Sequence, residues 1–175
     1  MKAEDVMTRR VVACRADTEL AHAARLMWDN DCGAIPVVDS ADHVVGILTD
    51  RDACMSAYFQ GRSLRDLRAS ACMASEVVTC SPSETAEDVA RLMARHRVRR
   101  IPVTAADGQL LGIVSLGDLL AAAARAGGKK GKQLQDCLLE SLTRICEREA
   151  REVQPALPAK KPKGSRSRKR AGKAQ

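Results

Sequence analysis

Apolar residues recur with helical spacing in two stretches of the chain that are 66 positions apart. In both stretches they follow the i, i+3, i+4, i+7 pattern of a helix with one buried face. The first stretch has Leu20, Ala23, Ala24 and Met27, and the second has Ala86, Val89, Ala90 and Met93. Ser81, Pro82 and Glu84 form a capping pattern that predicts the start of the second of these helices.

Each predicted helix is followed by two short apolar runs with a turn between them. The first run contains Ile35 and Pro36 in one copy and Ile101 and Pro102 in the other, and the second spans His43 to Leu48 or Gln109 to Val114. Apolar runs of this length around a turn predict a β-hairpin. A further helix then begins at Thr49 or Ser115. The dipeptides Val11-Val12 and Val77-Val78 predict a short edge strand before each first helix.

The repeated unit is therefore strand, helix, strand, strand, helix, which defines an α+β fold. A unit of about 60 residues buries too little surface to be stable alone, so we expect the two to pack as a pseudo-twofold pair. We predict repeat 1 at residues 1–60 and repeat 2 at residues 61–126. An amphipathic helix at 127–153 and a disordered basic tail at 154–175 complete the chain.

The helix at 127–153 carries an apolar stripe with two interpretations. It can dock on its own domain, or it can form a dimer, because a lone amphipathic helix must bury that face somewhere. The stripe consists of Leu134, Cys137, Leu138, Ser141, Leu142 and Ile145.

Composition excludes several classes of protein. One Trp, one Tyr and one Phe cannot supply the stacking surfaces of single-strand nucleic-acid binders. Seven scattered cysteines without a Cys-x-x-Cys pair argue against a metal site or a disulfide framework, and they predict a reducing cytoplasm. Three histidines lie in no catalytic constellation, so we expect no enzyme, no catalytic residue and no cofactor. No apolar run is long enough to insert into a membrane.

The positive charge is concentrated at the end of the sequence. The net charge is +7, and eight basic residues between positions 160 and 173 leave the rest of the chain at −1. Such a run can bind nucleic acid or an acidic partner nonspecifically, or it can simply remain solvated. The eight are Lys160, Lys161, Lys163, Arg166, Arg168, Lys169, Arg170 and Lys173.

Two [Ser/Thr]-x-x-Asp motifs are the candidate chemistry. Thr49 with Asp52, and Ser115 with Asp118, place a hydroxyl at a helix N-cap and a carboxylate three residues later. This is capping geometry, which satisfies free backbone amides. The same carboxylate can accept hydrogen bonds from ribose hydroxyls, beside a helix N-terminus that favours phosphate. Both interpretations stay open from spacing alone.

The order of these motifs resembles a tandem pair of CBS domains, often called a Bateman module, over about residues 2–124. The resemblance implies a non-enzymatic regulatory homodimer that senses adenosine-containing ligands, usually AMP, ADP or ATP, in clefts between the repeats. It implies that Thr49 with Asp52 and Ser115 with Asp118 hold ribose and phosphate. It places Val11, Val12, Ala34, Ile35 and Pro36 in one adenine pocket, and Val77, Val78, Arg100, Ile101 and Pro102 in the other.

The two copies differ in charge just before the Ile-Pro strand. His96, Arg97, Arg99 and Arg100 stand where the first copy has Asn30, Asp31, Gly33 and Ala34. Arginines favour phosphate, so we expect the cleft of the second motif to be the preferred nucleotide site. The alternative is that these arginines face the other site, because the clefts lie between the repeats. The alternative function is a CBS-pair dimerisation scaffold whose basic tail binds nucleic acid or an acidic partner.

Overall fold

Two units of the same topology follow one another along the chain, as the repeat predicts. The computed structural model describes residues 1–147. Repeat 1 comprises β1 (Cys14–Arg15), α2 (Leu20–Asp29), β2 (Ala34–Val38), β3 (Val44–Thr49) and α3 (Asp50–Gln60). Repeat 2 comprises α4 (Ala86–His96), β4 (Arg100–Thr104), β5 (Leu110–Ser115) and α5 (Leu116–Ala126). The remaining elements are α1 (Ala3–Val6), 3₁₀ turns at Leu64–Asp66 and Ala69–Ala71, and α6 (Gly128–Cys146).

The predicted hairpins form, but the first strand of each repeat lies elsewhere than expected. β2 pairs antiparallel with β3, and β4 pairs antiparallel with β5. β1 pairs parallel with β2 at Cys14 and Arg15, not at Val11 and Val12. In repeat 2 the equivalent is a single parallel bridge between Cys80 and Val103. The cysteines take these positions because their side chains are buried in the two cores.

The start of α4 also differs from the prediction. Ser81 donates its backbone N–H to Oε1 of Glu84 at 2.9 Å, as a capping box would, but this bond closes a turn. The helix begins later, because Thr85 is its N-cap and accepts a hydrogen bond from the N–H of Asp88 at 3.1 Å. The apolar stripe of α4 is then fully buried as predicted, at Ala86, Val89, Ala90 and Met93.

The two repeats exchange the segments that lead into them. Ala3 and Val6 of α1 belong to the core of repeat 2, whereas Leu67 and Ala69 belong to the core of repeat 1. The exchange is reciprocal in the backbone: residue 8 pairs with Ile113, and residue 74 pairs with Ile47. These paired bridges give the pseudo-twofold arrangement that the repeat predicts.

Two glycines provide the space for this exchange. A Cβ on Gly112 would overlap the side chain of Met7, and a Cβ on Gly46 would overlap that of Met73. Each glycine lies in the second strand of a hairpin, and each methionine comes from the lead-in of the opposite repeat. The two pairs occupy equivalent positions in the repeat, which explains why both residues recur at the same offset.

The helix α6 docks on its own domain, which was one of the two alternatives. Leu134 and Leu138 are fully buried in the core of repeat 2, beneath α4 and α5. The Cys137 thiol lies 3.7 Å from the carbonyl oxygen of Glu87 on α4. The predicted span of 127–153 extends past the described residues, and the predicted tail at 154–175 lies wholly outside them.

Candidate functional site

Both [Ser/Thr]-x-x-Asp motifs form complete capping boxes. At the start of α5, Ser115 Oγ accepts a hydrogen bond from the N–H of Asp118 at 3.2 Å. Asp118 Oδ2 accepts from the Ser115 backbone N–H at 2.8 Å and from its hydroxyl at 2.6 Å. Thr49 and Asp52 repeat the arrangement at α3, with distances of 3.1, 3.0 and 2.7 Å. Because these bonds end on Oδ2, the capping box leaves Oδ1 of each aspartate for a ligand.

The capping box of Ser115 and Asp118 borders a cavity between the two repeats, which we name the Asp118 cleft. The cavity has a volume of about 340 Å³. Repeat 1 supplies an apolar wall through Val11, Val12 and Ala34, and repeat 2 supplies Ser115 and Asp118. The cleft is completed by Thr8, Arg10, Asn30, Asp31, Cys32, Arg100 and Ile113.

A larger cavity of about 650 Å³ lies where the first turns of α3 and α5 both reach the boundary between the repeats. We name it the arginine cleft, because Arg51, Arg97, Arg99 and Arg100 line it. The two helix starts are fixed in the same way: Asp50 N–H donates to the Gly33 carbonyl at 3.3 Å, and Leu116 N–H donates to the Arg99 carbonyl at 2.9 Å. The other lining residues are Ala34, Ile47, Thr49, Val98, Ser115 and Gly117.

The arginines that precede the Ile-Pro strand of repeat 2 are distributed over both clefts. Arg100 lines both of them, but Arg97 and Arg99 line the arginine cleft together with Thr49. In the Asp118 cleft the segment before the Ile-Pro strand of repeat 1 meets the capped helix of repeat 2, whereas both such segments and both helix starts line the arginine cleft. The preference for the second motif therefore rests on Arg100 and Arg10 and stays a prediction.

Several predicted ligand contacts are placed away from these cavities. Ile35 and Ile101 are fully buried in the cores of their own repeats, and Pro36 and Pro102 are buried in the same strands. Asp52, Val77 and Val78 are half-buried, and they are not among the described residues that line either cleft. A role for these seven residues in binding stays a prediction.

Sequence reasoning missed three charged residues of the clefts. Arg10 lines the Asp118 cleft, and Asp50 and Arg51 line the arginine cleft. The signal was present, because Arg10 directly precedes Val11 and the other two lie inside the Thr49-x-x-Asp52 motif.

Neither a metal-binding cluster nor a membrane-spanning helix is found within residues 1–147. No group of three or more His, Cys, Asp or Glu side chains in this range is arranged to hold a metal ion. None of the helices in the same range combines the length and apolarity needed to cross a membrane.

The fold and the clefts together define a class: two homologous α+β repeats, joined by exchanged lead-ins, whose shared clefts end at capped helices. The CBS domain family model matches residues 3–56 and again residues 64–125. The chain therefore belongs to the CBS domain family and carries two copies in tandem, which confirms the resemblance drawn from its motifs.

Known proteins of similar sequence and structure agree with this assignment. CBS domain-containing protein YhcV of Bacillus subtilis strain 168 is 39% identical over 116 residues, which cover 66% of this chain and 81% of the relative. A solved CBS-domain protein of Burkholderia ambifaria MC40-6 matches with a TM-score of 0.66 at 28% identity, over 73% of this chain and 97% of that one. CBSX2 of Arabidopsis thaliana, solved in complex with AMP, matches with a TM-score of 0.64 at 26% identity, over 71% and 97%.

Proposed function

We propose that this chain is a non-enzymatic regulatory module that binds an adenosine-containing ligand of the AMP, ADP or ATP class between its two CBS repeats. The observation that carries the proposal is the Asp118 cleft, where the carboxylate of a helix capping box and an apolar wall from the other repeat line the same cavity. The complex of CBSX2 with AMP supports the ligand class, since that protein has the same fold.

In this proposal each part of the ligand has a chemical counterpart in the Asp118 cleft. Val11, Val12 and Ala34 provide an apolar surface for the adenine ring. Asp118 Oδ1 accepts hydrogen bonds from the ribose hydroxyls. Arg100, Arg10 and the N-terminus of α5 attract the phosphate groups, because both guanidinium groups and free helix amides favour anions.

The first motif offers a second site of the same kind. Thr49 and Asp52 would hold the ribose, with Val77, Val78, Arg100, Ile101 and Pro102 as the adenine pocket. Arg97 and Arg99 lie in the adjoining arginine cleft and would attract phosphate. We propose that the Asp118 cleft is occupied first, because Asp118 itself lines it and Asp52 is not among the described residues lining the other.

We also propose how the binding is used. The signal passes through a homodimer or a protein partner, in the reducing cytoplasm that the scattered cysteines suggest. All seven cysteines lie within the described residues, and each is a free thiol.

The test is isothermal titration of the full chain with AMP, ADP, ATP and S-adenosylmethionine. We expect saturable binding that Asp118→Ala weakens by about 10- to 100-fold, the effect of losing hydrogen bonds to a charged group. Asp52→Ala reports on the second site in the same way. Thermal unfolding of every variant measures the loss of the cap, which costs about 1 kcal/mol.

A matched control lies outside the clefts. At the start of α4, Asp88 Oδ2 accepts a hydrogen bond from the hydroxyl of the N-cap residue Thr85 at 2.6 Å, and both residues are exposed. Asp88→Ala should lower stability as Asp118→Ala does, and it should leave the affinity unchanged. Absence of binding by a folded wild-type protein would reduce both motifs to helix caps and favour the scaffold with a nucleic-acid-binding tail.

A further inference from the structure

The two repeats differ in charge on the exposed face of their first long helix. In α2, Arg25 Nε donates to both carboxylate oxygens of Asp29, at 2.8 and 2.7 Å. The equivalent positions of α4, 66 residues later, are Arg91 and Arg95. An ion pair of repeat 1 is thus replaced in repeat 2 by two like charges one turn apart, an arrangement that destabilises an isolated helix.

In repeat 2 the helix α6 adds a third arginine to these two and encloses them in a pocket. The cavity between α4 and α6 has a volume of about 320 Å³, and we name it the α6 pocket. Three guanidinium groups and one carboxylate line it, so its lining is positively charged. The lining residues are Arg91, Ala94, Arg95, Glu140, Ser141 and Arg144.

The α6 pocket has a buried base and a charged rim. Cys137 Sγ lies 3.7 Å from the Glu87 carbonyl oxygen, and the pocket lies one to two turns further along both helices, which therefore run in the same direction here. Ala94 is 7% exposed and Ser141 is 3% exposed, whereas the three arginines are exposed. The packed helices thus hold the arginines around a fixed concavity.

The arginines of the α6 pocket keep hydrogen-bond donors for a ligand. Arg91 Nη1 donates to Asp88 Oδ1 at 2.8 Å, and Arg144 Nη2 lies 3.5 Å from Glu140 Oε1. A guanidinium has five N–H donors, and each of these contacts uses at most one of them. None of the ion pairs within residues 1–147 involves Arg95.

We infer that the α6 pocket binds a phosphate group, which Arg95 of α4 and Arg144 of α6 hold from opposite sides. The planar guanidinium group matches the oxygens of phosphate and can bind two of them at once. Arg91 adds positive charge beside them. This inference goes beyond the proposed function and does not rest on it, because the lining of the α6 pocket shares no residue with either cleft.

A phosphate group in this position would connect two helices. A ligand that binds only the packed arrangement of α4 and α6 stabilises that arrangement. Opening of α6 would release the ligand, so phosphate should slow hydrogen exchange of the α6 amides. The amides of α2, which lies in the other repeat, should exchange at an unchanged rate.

The test is a titration of the full chain with inorganic phosphate, followed through the Nε–Hε resonances of the arginine side chains in NMR spectra. The Arg95 and Arg144 signals should shift together and saturate with a dissociation constant of about 1 mM or tighter. A second titration uses O-phosphoserine. Saturation of the Arg95 signal by either compound supports the inference, and the tighter of the two distinguishes free phosphate from a phosphorylated protein as the source.

Arg95→Asp is the decisive variant, because it copies the arrangement of Arg25 and Asp29 onto the equivalent positions of α4. Without phosphate it should unfold at about the temperature of the wild type. At a phosphate concentration about ten times the dissociation constant, the folded-to-unfolded ratio of the wild type should rise about elevenfold relative to that of Arg95→Asp. The comparison cancels any binding of phosphate in the clefts, which both proteins share.

Two further variants test the contribution of α6. Arg144→Gln leaves α4 unchanged and should weaken phosphate binding about 10- to 100-fold, the effect of losing hydrogen bonds from a charged group. Asp29→Arg gives α2 the two arginines of α4, but the described part of repeat 1 has no counterpart of α6. It should therefore gain no additional response to phosphate.

Three results would overturn the inference: an Arg95 signal that does not saturate, a full phosphate response in Arg95→Asp, or an added response of the same size in Asp29→Arg. Arg95 and Arg144 would then only complement the negative ends of α4 and α6, where they occupy the last turns. Arg95→Asp should leave nucleotide affinity at the Asp118 cleft unchanged. Phosphate binding without nucleotide binding would thus overturn the proposed function alone, and the reverse result would overturn only the α6 pocket.

Discussion

Single residues in this fold often serve the backbone and a possible ligand at once. Asp118 uses Oδ2 to cap α5, and the position of Oδ2 is fixed by two hydrogen bonds of 2.6 and 2.8 Å. That rigidity holds Oδ1 in place as well, so binding a ligand there costs little side-chain entropy of Asp118. The capping interpretation and the binding interpretation are therefore compatible, because each uses a different oxygen of one carboxylate.

Cys80 is a residue whose burial makes stability depend on pH. Burial raises the pKa of its thiol from an ordinary 9.0 to about 12, and the nearby charge of Glu84 acts in the same direction. The unfolded chain releases this proton near pH 9, whereas the folded chain keeps it up to about pH 12. Between these values the unfolded state binds fewer protons, so stability falls as the pH rises.

We predict that Cys80→Ala removes this contribution. Chemical denaturation at pH 8 and pH 10.5 measures the free energy of unfolding of both proteins. Between these pH values it should fall more steeply for the wild type than for Cys80→Ala, by up to about 1.4 kcal/mol per pH unit. Cys54→Ala is the control for removing a thiol at an exposed position. Equal slopes for the wild type and Cys80→Ala would contradict the argument.

At the scale of elements, α6 completes the core of repeat 2. Leu138 is fully buried and its neighbour Leu139 is 69% exposed, so the two leucines lie on different faces of the helix. Gly131 is buried too, and a Cβ there would lie 2.7 Å from the carbonyl oxygen of Ala123. This close approach determines where α6 packs against α5.

The two adjacent leucines give a direct test of this docking. Leu138→Ala should lower the free energy of unfolding by about 2–5 kcal/mol, as expected for a buried leucine that leaves a cavity. Leu139→Ala should change it by no more than about 0.5 kcal/mol. Urea denaturation of the full chain measures both. Similar small effects would mean that α6 is not part of the core.

Local patterns predicted most of these elements. The apolar stripes located α2 and α4, the paired apolar runs located both hairpins, and the two capping boxes fixed the starts of α3 and α5 within one residue. Two competing caps misled the prediction for α4, because Ser81 with Glu84 and Thr85 with Asp88 both satisfy the pattern. Only the packing of the following residues selects the later one.

At the scale of the whole molecule, the exchange of lead-ins was not predictable from the sequence. Met7 and Met73 occupy equivalent positions, as do Gly112 and Gly46, so the repeat does not reveal which methionine contacts which glycine. The clefts depend on the same arrangement, since Val11 follows the exchanged segment into the Asp118 cleft. The composition of the candidate site is thus a consequence of topology, which local spacing does not encode.

A double-mutant cycle tests the exchange. Gly112→Ala forces a Cβ against Met7 and should cost about 1–3 kcal/mol of stability, as overpacking does. In a chain that already carries Met7→Ala, the cost should be clearly smaller, because the shortened side chain makes room. Gly46→Ala should cost about as much, yet its effect should add to that of Met7→Ala within roughly 0.5 kcal/mol, since Gly46 contacts Met73.

The reverse pattern identifies the other topology. If each lead-in packed on its own repeat, Met7→Ala would relieve Gly46→Ala and would leave the cost of Gly112→Ala unchanged. Gly117→Ala controls for the general effect of replacing glycine, because the nearest atom to its Cβ would be Ser115 Oγ at an ordinary 3.5 Å. Coupling of Met7 to Gly112 alone requires that the first residues of the chain complete the core of the second repeat. Each CBS repeat then depends on the other for its fold.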